Sequence, residues 1–84
     1  MKITLKLFAT LTEYLPPESR YTNIVELDVP EQTTVGSIIA DKQLPAKWVH
    51  LVLVNGRYID PDKRDQQVLV DGDVLAIWPP IAGG

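Results

Sequence analysis

The residues best suited to a chemical task stand at the end of the chain, Trp78-Pro79-Pro80-Ile81-Ala82-Gly83-Gly84. Two consecutive prolines hold the backbone extended and stiff. Beyond them Ala82, Gly83 and Gly84 carry almost no side-chain bulk, and glycine lets backbone pass close to other atoms. Two terminal glycines arise by chance in about 0.5% of chains of average composition. The pair alone is therefore suggestive, and the stiff stalk in front of it adds weight. A slim tip on a stiff stalk can be threaded into a partner's narrow active site, where it would present the carboxylate of Gly84. The competing reading is a frayed terminus with no task.

The rest of the chain offers little chemistry of its own. There are no cysteines and a single histidine, His50. This excludes thiolate zinc, thiolate iron–sulfur and His-rich metal sites, and no metal site is expected. One histidine without a spaced serine and aspartate makes no triad. Gly36, Gly56 and Gly72 do not form a phosphate-binding loop. Asp60, Asp62, Asp71 and Asp73 flank turns and are explained as turn formers. A chain of 84 residues has room for one core, and no second layer that would enclose an enzyme's cleft is expected. Not an enzyme alone is therefore the reading.

Charge and hydropathy narrow the partners. The formal net charge is −3 and the eight basic residues are scattered, the opposite of what a nucleic-acid backbone calls for. No apolar run approaches the roughly 20 residues that span a bilayer. The first residues, Met1 to Lys6, alternate instead of forming the apolar core of a signal peptide. A cytoplasmic protein with neither nucleic acid nor membrane as partner is expected.

The elements that must carry the tail follow from periodicity. Lys2 to Phe8 alternates, with Ile3, Leu5 and Leu7 on one side and Lys2, Thr4, Lys6 and Phe8 on the other. Thr10-Leu11-Thr12-Glu13 matches a capping box ahead of a short helical turn that Pro16-Pro17 ends. Glu18 to Asn23 reads as a loop, and Ile24 to Val29 as a second strand with Val25, Leu27 and Val29 inward. Thr33-Thr34 caps the main helix, Val35 to about Lys42, which Leu44-Pro45 stops. Leu51-Val52-Leu53-Val54 is uninterrupted apolar sequence, the mark of a central strand buried on both sides or nearly so. Asn55-Gly56 is a two-residue hairpin signal, with Arg57 to Ile59 returning. Gln67 to Val70 is a brief extended piece, Asp71-Gly72-Asp73 a turn, and Val74 to Trp78 the last strand, Leu75 and Ile77 inward.

Strands one and two pair as a hairpin, and the last strand returns parallel to the first. One helix then packs across a mixed sheet of about four to five strands, an α+β roll of the β-grasp type. Residues 1–78 form this domain and residues 79–84 an extended, flexible tail. Phe8, Trp78 and Tyr58 fall on parity positions opposite the inward residues. If the first and last strands are neighbours, these aromatics form a patch on the exposed sheet face, a partner surface.

Leu7-Phe8-Ala9-Thr10, Val54-Asn55-Gly56, Asp71-Gly72-Asp73 and above all the ending Pro79-Pro80-Ile81-Ala82-Gly83-Gly84 resemble the small subunit of molybdopterin synthase and the related ubiquitin-like sulfur carriers. The resemblance spans essentially the whole chain. It implies that an ATP-dependent, E1-like activating enzyme adenylates the Gly84 carboxylate, ATP and magnesium being that partner's and no cofactor being bound by this chain. Sulfur transfer then gives a Gly84 thiocarboxylate, and the tail enters the large synthase subunit to donate sulfur to a pterin precursor in molybdenum or tungsten cofactor synthesis. The chain ends at Gly84, so no processing is implied. The site residues implied are Gly84 and Gly83 for chemistry, with Phe8, Tyr58, Trp78, Pro79, Pro80, Ile81 and Ala82 in the partner interface. Leu44-Pro45-Ala46-Lys47-Trp48, Tyr14 to Ser19 and Trp78 in place of a common phenylalanine depart from that subunit. Three alternatives stay open: a ubiquitin-like modifier joined through Gly84 to lysines, a sulfur carrier of another pathway, and a plain β-grasp binding module that uses the aromatic face and has no use for the tail.

Overall fold

A computed structural model describes residues 1–80. The strands are β1 (Lys2–Leu7), β2 (Ile24–Asp28), β3 (Leu51–Val54), β4 (Arg57–Tyr58) and β5 (Val74–Trp78), and the one α-helix among the described residues is α1 (Val35–Asp41). They form a five-stranded sheet in the order β2-β1-β5-β3-β4. β1 and β2 are antiparallel, β5 runs parallel to β1, and β3 is antiparallel to both β5 and β4. This is the β-grasp roll expected from the alternation.

One face of the sheet is the core. Ile3, Leu5 and Leu7 of β1, Val52 and Val54 of β3, and Leu75 and Ile77 of β5 are buried together with Val35 and Ile38 of α1. Each such side chain contributes roughly 1.5–3 kcal/mol through burial. Leu11, Leu15, Leu44, Ile59 and Leu69 close the rim from the connections. The helix is short, so these connections supply core that a longer helix would have supplied.

α1 starts at a capping box: Thr34 Oγ1 accepts from the Ser37 amide at 3.1 Å, and Ser37 Oγ accepts from the Thr34 amide at 2.9 Å. Both hydroxyls satisfy amides that have no partner in the first helical turn. Gly36 sits where a Cβ would run into the Asp65 carboxylate and lie 3.1 Å from the Asp65 Cα, so this approach of α1 to the 64–65 loop requires glycine. Its amide donates to Arg64 O at 2.9 Å.

Two expectations are corrected. Thr10 and Glu13 do not make a capping box. The turn begins at Phe8, whose carbonyl accepts from the Leu11 amide at 3.1 Å, and Ala9–Tyr14 is a 3-10 helix with no side-chain cap. That tighter winding leaves Thr10 exposed and buries Leu11, while Thr12 Oγ1 donates to Ala9 O at 2.9 Å. Second, β3 is not buried on both sides. Val52 and Val54 are buried, but Leu51 is 36% exposed and Leu53 half-buried, because among the described residues no layer covers the opposite sheet face. One lesser difference accompanies these: Pro17–Ser19 is a 3-10 turn at the start of the expected loop. The extended piece at residues 67–70 makes an isolated bridge, Val68 to Thr34.

The Asn55-Gly56 hairpin forms as expected, with φ of 50° and 81° at its two central residues, the left-handed pair a two-residue turn requires. Asn55 also ties this hairpin to the Asp71-Gly72-Asp73 turn. Its side-chain amide donates to Asp73 Oδ1 at 2.8 Å and its Oδ1 accepts from the Val74 amide at 2.9 Å. Asp73 is buried, and its other oxygen accepts from the Val70 amide at 2.8 Å. Asp71 accepts from the Lys2 amide at 2.7 Å. The acidic residues of this turn hold backbone in place.

Candidate functional site

The tail leaves the sheet from β5, a strand with hydrogen-bonded neighbours on both sides. Its last residues are held from each flank. The Phe8 amide donates to Ile77 O at 3.2 Å, and the His50 amide donates to Trp78 O at 3.0 Å. Behind His50 lies Arg64, a buried guanidinium whose Nη2 donates to His50 O at 3.2 Å and whose Nε donates to Ile59 O at 3.3 Å. The root of the tail is thus pinned by backbone hydrogen bonds and, one residue removed, by a buried arginine. Pro79 is buried and Pro80 exposed. Ile81, Ala82, Gly83 and Gly84 lie outside the described residues.

Phe8 and Trp78 come together on the face opposite the core. Their rings stack with centroids 4.2 Å apart and planes 1° from parallel. Both are half-buried. The reason is the parallel pairing of β1 and β5: Lys6 lies beside Ala76 and Leu7 beside Ile77, so the next residue on each strand brings Phe8 beside Trp78. A stacked aromatic pair contributes about 0.5–1.5 kcal/mol beyond burial.

The patch is wider than its aromatics. Leu51 pairs with Trp78 across β3 and β5, and Leu53 pairs with Ala76 on one side and with Tyr58 on the other. The open face therefore carries two adjoining rows: Phe8, Trp78 and Leu51 at the tail end, then Ile24, Lys6, Ala76, Leu53 and Tyr58. Tyr58 is 49% exposed, on an edge strand and in the second row, separated from Trp78 by the two leucines. Leu51, Leu53 and Ile24 were not singled out from sequence. The signal was present only as parity: once β3 pairs antiparallel with β5, Leu51 must share the face of Trp78.

No helix among the described residues is long and apolar enough to cross a membrane. The open face instead offers a continuous apolar surface at the base of the tail, of the kind a protein partner covers.

The sequence matches the ThiS family model over residues 5–84. Among solved structures, SAMP1 from Haloferax volcanii is 26% identical, with a TM-score of 0.69 and 100% of each chain covered. The thiamine biosynthesis protein ThiS from Geobacter metallireducens is 19% identical, with a TM-score of 0.67 and 100% of each chain covered. A chain from the complex of subunits 1 and 2 of the molybdopterin-converting factor of Helicobacter pylori is 21% identical, with a TM-score of 0.59 and 100% of each chain covered. The last two likenesses concern the fold alone. No curated protein matches the sequence.

Proposed function

Because the chain belongs to the ThiS family of ubiquitin-like sulfur carriers, we propose that it carries sulfur as a thiocarboxylate on Gly84 and donates it in molybdopterin synthesis. The observation that carries the sulfur-carrier part of this reading is the family match through residue 84; its molybdopterin part rests on the resemblance of the Pro-Pro-Ile-Ala-Gly-Gly ending to the small synthase subunit.

The chemistry is economical. A carboxylate is a poor electrophile, so an E1-like enzyme first converts it to an acyl-adenylate with ATP, releasing pyrophosphate. Sulfur from a donor then displaces AMP. The resulting thiocarboxylate is a good nucleophile, and Gly84 has no Cβ to obstruct either attack. The role of the folded domain is placement. The pinned end of β5 sets where the tail departs, and the stacked Phe8 and Trp78 with Leu51 and Tyr58 supply an apolar surface for the activating enzyme and then for a large synthase subunit. Binding energy gathered on that face holds the reacting group at high effective concentration.

The test is the intact mass of the protein isolated from its own cells without reductant or alkylating agent. A species with one sulfur in place of one oxygen, localised to the C-terminal peptide, is expected. In reconstitution with the activating enzyme and ATP, deletion of Gly84 should abolish that species.

A second reading has one specific support, the 26% identity to SAMP1, a small archaeal modifier protein by name. In it the activated Gly84 is joined to lysines of other proteins. High-mass adducts bearing a Gly84–lysine isopeptide, with no sulfur-bearing species, would replace the carrier reading by this one.

A further inference from the structure

β2 is the outermost strand of the sheet on its side. Its ladder with β1 is phased by the Leu7 amide bonding Asn23 O at 3.0 Å and the Val29 amide bonding Met1 O at 2.9 Å. In an antiparallel ladder, residues that bond across alternate with residues whose N–H and C=O point away. Ile24, Glu26 and Asp28, opposite Lys6, Thr4 and Lys2, are the alternate set. Their amides and carbonyls therefore face outward along one edge. No proline or break in register interrupts Ile24–Asp28, two of the usual devices for closing an edge. The other edge, β4, is two residues long and turns outward only the groups of Tyr58.

The side chains beside this edge select what can pair with it. Ile24, Glu26 and Asp28 are exposed on the open face. Between them, Val25 and Leu27 are half-buried against the core, and past the end of β2 a groove of about 260 Å³ runs from Asp28 and Val29 to Ser37 and Asp41 of α1. Asp28 lies 3.4 Å from Lys2 Nζ, in a pair whose side chains are 68% and 79% exposed, and Glu26 has no ion-pair partner among the described residues. Lys2 and Lys6 stand one strand inward, so a strand added outside β2 meets Glu26 and Asp28 at the inter-strand spacing of about 4.8 Å and the lysines at twice that. A second copy does not suit the edge. Antiparallel pairing of two β2 strands about Glu26 places Glu26 against Glu26, and directly opposed like charges destabilise a sheet.

We propose that the β2 edge is a docking strand for an extended segment of a partner protein, carrying Lys or Arg opposite Glu26 and Asp28, an apolar residue opposite Ile24, and apolar residues opposite the half-buried Val25 and Leu27. Main-chain bonds supply the affinity and the alternate side chains the selection. This surface is separate from the tail and does not depend on the fate of Gly84.

The test uses the full chain, labelled with ¹⁵N, and a blocked peptide with the core Lys-Val-Lys-Val-Val flanked by Gly-Ser at each end. Shifts and slowed solvent exchange are expected at the amides of Ile24, Glu26 and Asp28, and none with a control in which glutamate replaces lysine. The double variant Glu26→Lys, Asp28→Lys, at exposed positions, should keep the dispersed spectrum and weaken binding about tenfold. Shifts centred elsewhere, equal response to both peptides, or unchanged binding after charge reversal would each overturn the proposal. So would concentration-dependent broadening of these three amides without peptide, which would give the edge to a second copy.

Discussion

Ile77 and Trp78 are adjacent on β5 and face opposite layers. Ile77 is fully buried in the core with Leu5, Leu7, Val52 and Leu75; Trp78 is half-buried, stacked on Phe8 and otherwise on the open face. Among the described residues the sheet is covered on its apolar inner face only, while the outer face is apolar around Phe8, Trp78, Leu51, Leu53 and Tyr58 and charged toward β2. A covered face is accounted for by stability. An uncovered one that keeps Phe8, Trp78, Leu51, Leu53 and Tyr58 side by side leaves apolar area in water, and an interface removes it. The same strand serves both ends: its inward residues hold the domain together and its outward ones surround the base of the tail.

Substitutions along this boundary break or sharpen the contrast. The largest effect is expected for Ile77→Ala, which opens a cavity and should cost about 2–5 kcal/mol in urea unfolding followed by far-ultraviolet circular dichroism. That is a large part of the roughly 5–15 kcal/mol a domain has. Trp78→Ala should cost less, about 1–3 kcal/mol, since the ring is partly exposed and the main loss is the stack. If it costs as much as Ile77→Ala, the open face is core and the contrast fails. Trp78→Phe, which keeps a ring on Phe8, should recover most of the loss. Thr34→Ala removes one cap bond from the helix that covers the inner face and should cost about 1 kcal/mol by the same unfolding measurement. The smallest change in stability, within about 0.5 kcal/mol, is expected for Tyr58→Ala. Its rate of thiocarboxylate formation with the activating enzyme, measured at sub-saturating carrier, should nevertheless fall severalfold. An unchanged rate would remove Tyr58 from the partner surface.

How much of this was legible beforehand depends on whether a signal was local. Alternation in Lys2 to Leu7, Ile24 to Asp28 and Val74 to Trp78 fixed which residues share a face, because side chains in a strand repeat every two residues. The Asn55-Gly56 turn was equally plain, since few residue pairs tolerate two left-handed conformations. Leu51 to Val54 misled because a run with no alternation does not say which parity is covered. Thr10-Leu11-Thr12-Glu13 misled because a capping box describes an α-helix, and the chain wound into a 3-10 helix that put Leu11 into the core. The bond from Arg64 to His50, and the link from Asn55 to Asp73, join residues 14 and 18 apart in sequence and left no local mark.

The sequence by itself determined the strands, their inward and outward residues, the capped helix, the hairpin and the unusual ending, all consequences of neighbours along the chain. Tertiary structure alone decided the rest. Parallel pairing of β1 with β5 brought Phe8 onto Trp78; the strand order placed β5 inside the sheet and left β2 at its edge; and one short helix could cover only one face. Those outcomes depend on which distant segments lie together, and chain distance carries no direct information about that.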